Sequence, residues 1–436
     1  MALGGGIFTT QNKKLPGAYI NFVSVAKATA QLSERGYAAM PLVLDWGVEG
    51  EVFTVTEADF IRDCQSVFGY DYIHEKMIGL RDLFKNLEVL YCYRLNTGVK
   101  AANIYATAKY GGIRGNDLKI VISTNVDDSS KFDVKTYLNT SLVDSQTVGS
   151  ASELVANSYV DFKTTAELTI TASTPLTGGT NGAEVTGENW QTALEKLESY
   201  SFNTLGVVST TDLIKSLCIA YTKRMRDDVG VKFQCVCYKP TNVDDKGCIG
   251  VDNKITGETT ESGNMVYWVT GAEAGCKVNK SCTNKKYDGE FDVDTNYTQT
   301  DLEKALDAGK FVFHKVNDAV RVLEDINTKT TVTDEEGEDF KANQTIRVID
   351  QIGNDIAVLF DTKYLGIIPN DRAGRISLWN DIVKHHKELE TLRAIEDFDS
   401  EDVVVSAGDE KKAVVVSDAI TVVNAMAKLY MTVKVA

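Results

Sequence analysis

The chain has 436 residues, 43% hydrophobic and 25% charged, with five prolines and a net charge of −16. That length accommodates about two to four domains, and the composition is that of a soluble globular protein. The acidity excludes a general nucleic-acid binder, which needs clustered Lys and Arg, and the scarcity of proline excludes long Pro-rich linkers.

Residues 1–17 are Gly-rich and polar and read as an arm, followed by a strand pattern over 18–25 within PGAYINFVSVAKA. AAMPLVLDWG (38–47) reads as a buried strand. Thr56 opens a helix with Phe60, Cys64, Val67 and Phe68 as its apolar stripe, and Gly69 ends it. A second helix carries Met77, Leu80, Phe84 and Leu87 on one face, and EVLYCYRLN (88–96) is the next strand. Strand, helices and strand form the start of an α/β layer. Residues 98–175 then alternate strand patterns around Gly-rich turns and read as a β-rich insertion.

After TPLTGGTNG (174–182) the α/β pattern returns. Trp190, Leu194 and Leu197 stripe a helix, NTLGVVS (203–209) is a strand, and Leu213, Ile214, Leu217, Tyr221 and Met225 stripe a helix closed by Gly230. KFQCVCYK (232–239) is a strand, Thr300 and Glu303 suggest a capping box, and FVFHKV-ND-AVRVL (311–323) reads as a hairpin. A long helix over about 375–396 places Leu378, Ile382, Leu389 and Leu392 on its apolar side. Three strand patterns close the chain: DDVVVSAG, KKAVVVSD and KLYMTVKVA (428–436). The lysines of KKAVVVS suit the protection of an exposed strand edge. In KLYMTVKVA, Leu429, Met431, Val433 and Val435 point one way and Tyr430, Thr432 and Lys434 the other, the period of a half-buried strand.

Catalytic patterns are sparse. Gly271-Ala-Glu-Ala-Gly275-Cys-Lys277 has the wrong spacing for a phosphate loop, and Gly111-Gly112-Ile-Arg114-Gly115 lies between two strand patterns, where a turn with positive φ is expected. Gly178-Gly179-Thr180-Asn181-Gly182 reads the same way. The histidines are His74, His314, His385 and His386; the last two are adjacent on a helix, about 100° apart, and read as polar helix surface. Asp127-Asp128, Asp244-Asp245 and DEEGED (334–339) read as loops. The eight cysteines contain no C-x-x-C pair and read as reduced, mostly buried thiols. No catalytic residue, cofactor or metal site is therefore expected. No apolar run approaches the roughly 18 residues of a membrane span, and MALGGGIFTTQNKK offers no signal-peptide core. Against the acidic background, Arg372, Arg375, Lys384, Lys387 and Arg393 gather in one helix-forming stretch, suggesting a docking face for an acidic protein.

The chain resembles the tail sheath proteins of contractile-tailed bacteriophages and phage-tail-like bacteriocins, above all those of Gram-positive hosts. LPGAYINFVS (15–24), GLRDLFKNLEVLYCYRLN (79–96), GGIRGNDLKIVI (111–122), LESYSFNTLGVVS (197–209), YTKRMRDDVGVKFQ (221–234), NKKYDGEF (284–291), QTIRVIDQIGNDIAVLF (344–360) and GRISLWNDIVKHH (374–386) carry the resemblance. It implies a multidomain α/β and α+β fold: an N-terminal arm (1–25), an α/β segment (26–97), a β-sandwich-type insertion (98–175), a subtilisin-like α/β domain without protease residues (176–343), and a C-terminal α+β domain (344–436). It also implies strand exchange between neighbouring subunits through Tyr19, Ile20, Phe22 and Val23 at one end and Leu429, Met431, Val433 and Val435 at the other. Gly4-Gly5-Gly6 and the loop around Gly408 would be hinges, and Arg375, Lys384, Lys387 and Arg393 would face a tail tube.

The implied protein is a structural subunit, not an enzyme. It would stack with itself in rings, contact tail tube, baseplate and tail terminator proteins, bind neither nucleic acid nor membrane, and be made and assembled in the bacterial host cytoplasm as part of a virion tail or tail-like particle. The competing readings are an α/β hydrolase-like enzyme with a β-rich lid, which lacks nucleophile and base motifs here, and a tail tube protein, expected to be shorter and mainly β.

Overall fold

The structure is a computed structural model that describes residues 32–257 and 263–435. The expected N-terminal arm, with Gly4-Gly5-Gly6, Tyr19, Ile20, Phe22 and Val23, lies outside the described residues.

The described chain opens with β1 (Tyr37–Leu42), β2 (Val52–Thr56), α1 (Glu57–Phe68), α2 (Ile78–Phe84) and β3 (Val89–Arg94). The Asp59 N–H donates to the Thr56 hydroxyl at 3.1 Å, and Gly69 closes α1 at φ 81, the start and stop expected from the sequence. Then come β4 (Ala106–Ala108), β5 (Leu118–Thr124), β6 (Phe132–Leu138), β7 (Ser141–Val148), β8 (Val160–Phe162) and β9 (Thr171–Pro175). They form an antiparallel sheet in the order β7-β6-β5-β9 and a separate pair β4-β8. Leu118, Ile120 and Ile122 bury one face of β5, while Lys119, Val121 and Ser123 between them are half-buried.

The chain returns through α3 (Gly187–Leu197), β10 (Thr204–Val207), α4 (Asp212–Arg224), β11 (Gln234–Tyr238), β12 (Cys248–Val251), α5 (Met265–Gly275), α6 (Gln299–Asp307), β13 (Lys310–Phe311) and the hairpin of β14 (Phe313–Val316) and β15 (Ala319–Val322). A seven-stranded sheet runs β13-β12-β11-β10-β1-β3-β2, parallel except for β2 at its edge. A parallel sheet needs cover on both faces. Ala38 and Met40 of β1 pack with Leu80 and Leu83 of α2; Ala39, pointing the other way, packs with Leu194 of α3 and Cys218 of α4.

Gly271 and Gly275 lie on α5, where a Cβ would come within 2.2 Å of the Leu83 carbonyl oxygen and 1.9 Å of that of Asn86, respectively. These glycines let α5 approach α2 closely, which is why they are spaced as helix-face residues and not as a phosphate loop. Two expectations shift by a residue or two. The cap of α6 is Thr298, with the Asp301 N–H donating to its hydroxyl at 3.2 Å, because Thr298 has extended backbone while Thr300 already lies inside the helix. Leu213 of α4 is 73% exposed; the buried stripe is Ile214, Cys218, Tyr221 and Met225, spaced 4, 3 and 4.

The chain ends with α7 (Asn343–Leu359), α8 (Arg372–Thr391), β16 (Ile395–Glu396), β17 (Val404–Ala407), β18 (Val414–Ser417) and β19 (Thr421–Val422). Helix α8 stops at Thr391, short of 396, and Arg393 turns the backbone at φ 61; Leu392, expected on the apolar side, is exposed. The described chain forms two compact units. Residues 355–391 and 397–420 make the smaller; 33–354, 392–396 and 421–435 make the larger. Within the larger unit, Arg347 of α7 donates to Glu273 Oε2 of α5 at 2.6 Å and to Asp325 Oδ2 at 3.3 Å, all three side chains buried. Burial raises the Asp325 carboxyl, but the Arg347 charge and hydrogen bonds with Glu273, Cys282 and Asn343 outweigh it and hold the group below its usual range; the opposed carboxyl of Glu273 is pushed well up, first by burial and then by Asp325.

Candidate assembly surfaces

The polar residues singled out in the sequence serve local structure. His74 accepts from the Lys76 N–H at 3.2 Å at the start of a short helical turn, and His314 pairs across the hairpin with Arg321. His385 and His386 contradict the expectation of polar helix surface. Both are fully buried, with His385 Nε2 3.0 Å from Asp355 and His386 Nε2 2.7 Å from Asp418. Burial is tolerated because each ring has a carboxylate partner, which helix periodicity cannot reveal. Gly112 takes φ 128, and a Cβ there would come 1.9 Å from the Asp45 carbonyl oxygen, so this stretch is a tight turn. Gly178 and Gly182 also have positive φ. Asp244 accepts from the Thr330 and Thr331 N–H groups at 2.7 and 3.2 Å, and hydrogen bonds from those two threonines hold its carboxyl down to about 2.

Among the described residues one buried group has metal-ligand donor types, Glu273, Cys282 and Asp325; the Arg347 guanidinium already supplies positive charge there. All eight cysteines are free, seven of them buried. Cys276, half-buried, is the exception: a hydrogen bond with Cys282 and the charges of Arg347 and Arg35 outweigh burial and lower its thiol to about 6.

Leu378, Ile382, Val383 and Leu389 bury one side of α8. Of the candidate tube-facing residues, Lys384 and Lys387 are exposed on the other side. Arg375 is half-buried and donates to the Asn370 carbonyl oxygen and Oδ1 at 3.1 and 2.9 Å, and Arg393 is exposed beyond the helix end. β17 and β18 form an antiparallel pair, with Val404 opposite Ser417 and Ala407 opposite Val414. Neither strand has a second partner among the described residues, and Val404, Val415 and Val416 are exposed. Lys411 and Lys412, expected along a strand edge, sit in the turn before β18. They rim a groove of about 620 Å³ floored by Phe360, Leu365, Ile367 and Leu378. The sequence reading passed over this groove; its signal was the apolar run Leu365-Gly-Ile-Ile368 before Pro369, outside any helix or strand period.

The C-terminal stretch is secured as far as Ala425. β19 pairs with β16, Gln344 Nε2 donates to the Val423 carbonyl oxygen at 2.9 Å, and the Ala425 N–H donates to Gln344 Oε1 at 2.9 Å. Beyond it, residues 426–435 form no strand, and Met426, Leu429, Tyr430, Met431, Val433 and Val435 are all exposed. Contiguous apolar exposure of this kind makes the segment a candidate interaction site. The segment thus keeps the alternation of a strand while both of its faces are uncovered in the single chain.

Three family models match in sequence: the phage tail sheath protein beta-sandwich domain over 93–181, the central domain over 183–328 and the C-terminal domain over 335–436. The phage-like element PBSX protein XkdK of Bacillus subtilis (strain 168) is 32% identical, with 99% of this chain and 100% of that protein covered. A solved sheath tail protein from Desulfitobacterium hafniense is 37% identical, covers 90% of this chain and 93% of its own, and superposes with a TM-score of 0.79. The contracted helical sheath of the anti-feeding prophage shares the fold at 12% identity, with a TM-score of 0.56 over 97% of this chain and 99% of that one.

Proposed function

The chain belongs to the phage tail sheath protein family and is a structural subunit of a contractile sheath, part of a virion tail or tail-like particle; on that premise we propose that its copies stay linked during contraction by exchanging terminal strands. The observation that carries the proposal is the apolar segment 426–435, exposed on both faces, in a chain whose β17–β18 pair has no third strand among the described residues. A strand seated on the edge of that pair satisfies its own backbone N–H and C=O groups and those of the edge. Leu429, Met431, Val433 and Val435 of one copy add to the β17–β18 pair of another, and Tyr19, Ile20, Phe22 and Val23 make the corresponding link at the N-terminal end. Each link is head-to-tail, so copies propagate into a tube and not a closed dimer.

The sheath surrounds a tail tube and ends on baseplate and terminator proteins. It stores free energy in a metastable extended packing and releases it as rigid domains rotate into lower-energy contacts. The division at 25, 97, 175 and 343, the subtilisin-like character of the central layer, and hinges near Gly4-Gly5-Gly6 and Gly408 belong to this proposal. Lys384 and Lys387, exposed on one side of α8, are the strongest candidates to meet an acidic tube; Arg375 and Arg393 are secondary. Reversing Lys384 and Lys387 to Glu together should lower the yield of extended tails while contracted-type tubes still form, and equal yields refute that assignment.

Electron microscopy of the concentrated protein tests the whole. Hollow tubes support linkage through exchanged terminal strands; small uniform particles at every concentration would contradict it.

A further inference from the structure

Four side chains of the smaller unit stand in a line. Asp355 Oδ2 is 3.0 Å from His385 Nε2, the Nδ1 atoms of His385 and His386 are 3.4 Å apart, and His386 Nε2 is 2.7 Å from Asp418 Oδ2. The two rings are fully buried, whereas the Asp418 side chain is 25% exposed. Among the described residues, the titratable groups hydrogen-bonded to the rings are Asp355 from α7 and Asp418 from the segment after β18; the segment after α8 contributes the Phe398 ring, 5.1 Å from that of His386.

The spacing fixes a proton count. An ionised carboxylate only accepts, so each Nε2 bonded to one carries its proton. A neutral imidazole has one N–H, and two neutral rings protonated at Nε2 would turn bare Nδ1 lone pairs toward each other. A hydrogen bond between the Nδ1 atoms therefore needs one further proton, shared by the pair. Three links then hold three protons, and the four groups together carry one negative charge. Removing a proton leaves facing lone pairs; adding one leaves facing N–H groups; either change breaks the middle link. A metal between the Nδ1 atoms would have no third ligand among the described residues, whose one three-donor group is elsewhere, at Glu273, Cys282 and Asp325.

We propose that Asp355, His385, His386 and Asp418 form a pH-gated latch, closed by one shared proton, that fastens the end of the β17–β18 hairpin to α7 and α8. Asp418 directly follows β18, so the line reaches the hairpin where the chain leaves it. The latch is a property of the single chain and holds whether or not the hairpin receives a strand from another copy. It is tight within a pH window and loosens on both sides.

With only four histidines in the sequence, the unassembled full chain labelled with ¹⁵N in its imidazole rings gives a readable spectrum. Near pH 7 the expected pattern is two protonated Nε2 nitrogens and two Nδ1 nitrogens sharing one proton. Amide protection over 404–417, followed from pH 5 to 9, should peak inside the window and fall about fivefold on either side, the factor for one lost hydrogen bond. In Asp418→Ala, altered at a partly exposed position, the hairpin amides should lose that pH profile. Two bare Nδ1 nitrogens at pH 7, a Zn²⁺-dependent shift of both Nδ1 signals, or an unchanged profile in D418A would each overturn the proposal; the spectrum of the unsubstituted chain decides it even if the variant misfolds.

Discussion

Replacing Met431 and Val433 by serine tests whether the C-terminal segment is buried with a period of two in the assembled sheath. In the single chain these side chains are 75% and 68% exposed, so most of their burial is still available to a neighbouring copy. Fully burying a side chain of this size is worth roughly 1.5–3 kcal/mol, and scaling by the exposures gives about 3 kcal/mol for the pair. At about 1.4 kcal/mol per tenfold, the double variant should raise the critical concentration for tube formation about a hundredfold. Sedimentation of assembled tubes across a dilution series reads that concentration directly. Thr432→Ser, on the opposite face, is the control and should shift it less than about threefold. Equal shifts for the two faces, or none for the double variant, would refute the reasoning, because strand addition buries alternate residues unequally.

Other predictions concern the single chain. Thr298→Ala should cost about 1 kcal/mol of helix-end stability, seen as about fivefold faster exchange of the first-turn amides of α6, while Thr300→Ala leaves them unchanged. Arg347→Met strands the buried Asp325 carboxylate without its cation and should destabilise the larger unit by about 3–5 kcal/mol, read from the denaturant midpoint. Cys276 should be alkylated ahead of the other cysteines at pH 7. Its rate should fall as pH drops through about 6, since thiolate is lost below that value; an ordinary thiol would lose reactivity near about 8.5. Mass spectrometry of peptides labelled at each pH identifies the site and its midpoint.

The alternation of apolar residues made much of the fold legible. Ala38, Ala39 and Met40 give the two faces of β1, and Thr56 with Gly69 brackets α1, because these signals are local. What the sequence hid depends on distant partners. Histidines with carboxylates 30 and 32 residues away read as surface from their own helix, yet His385 and His386 are core. The α6 cap was misplaced because two threonines lie two residues apart and backbone conformation alone separates them. The proposed assembly segment was legible through its period of two from Leu429 to Val435, whereas the groove beside Leu365 and Ile367 is an irregular stretch without a period.

The central claim is that the chain's C-terminal segment is seated in another copy. A reconstruction of the assembled sheath at side-chain resolution tests it most directly. The account predicts residues 428–436 of one subunit hydrogen-bonded as an added strand on the β17–β18 edge of an adjacent subunit, in the extended and the contracted states alike. Residues 428–436 folded back on their own chain, or left in solvent in either state, would contradict it.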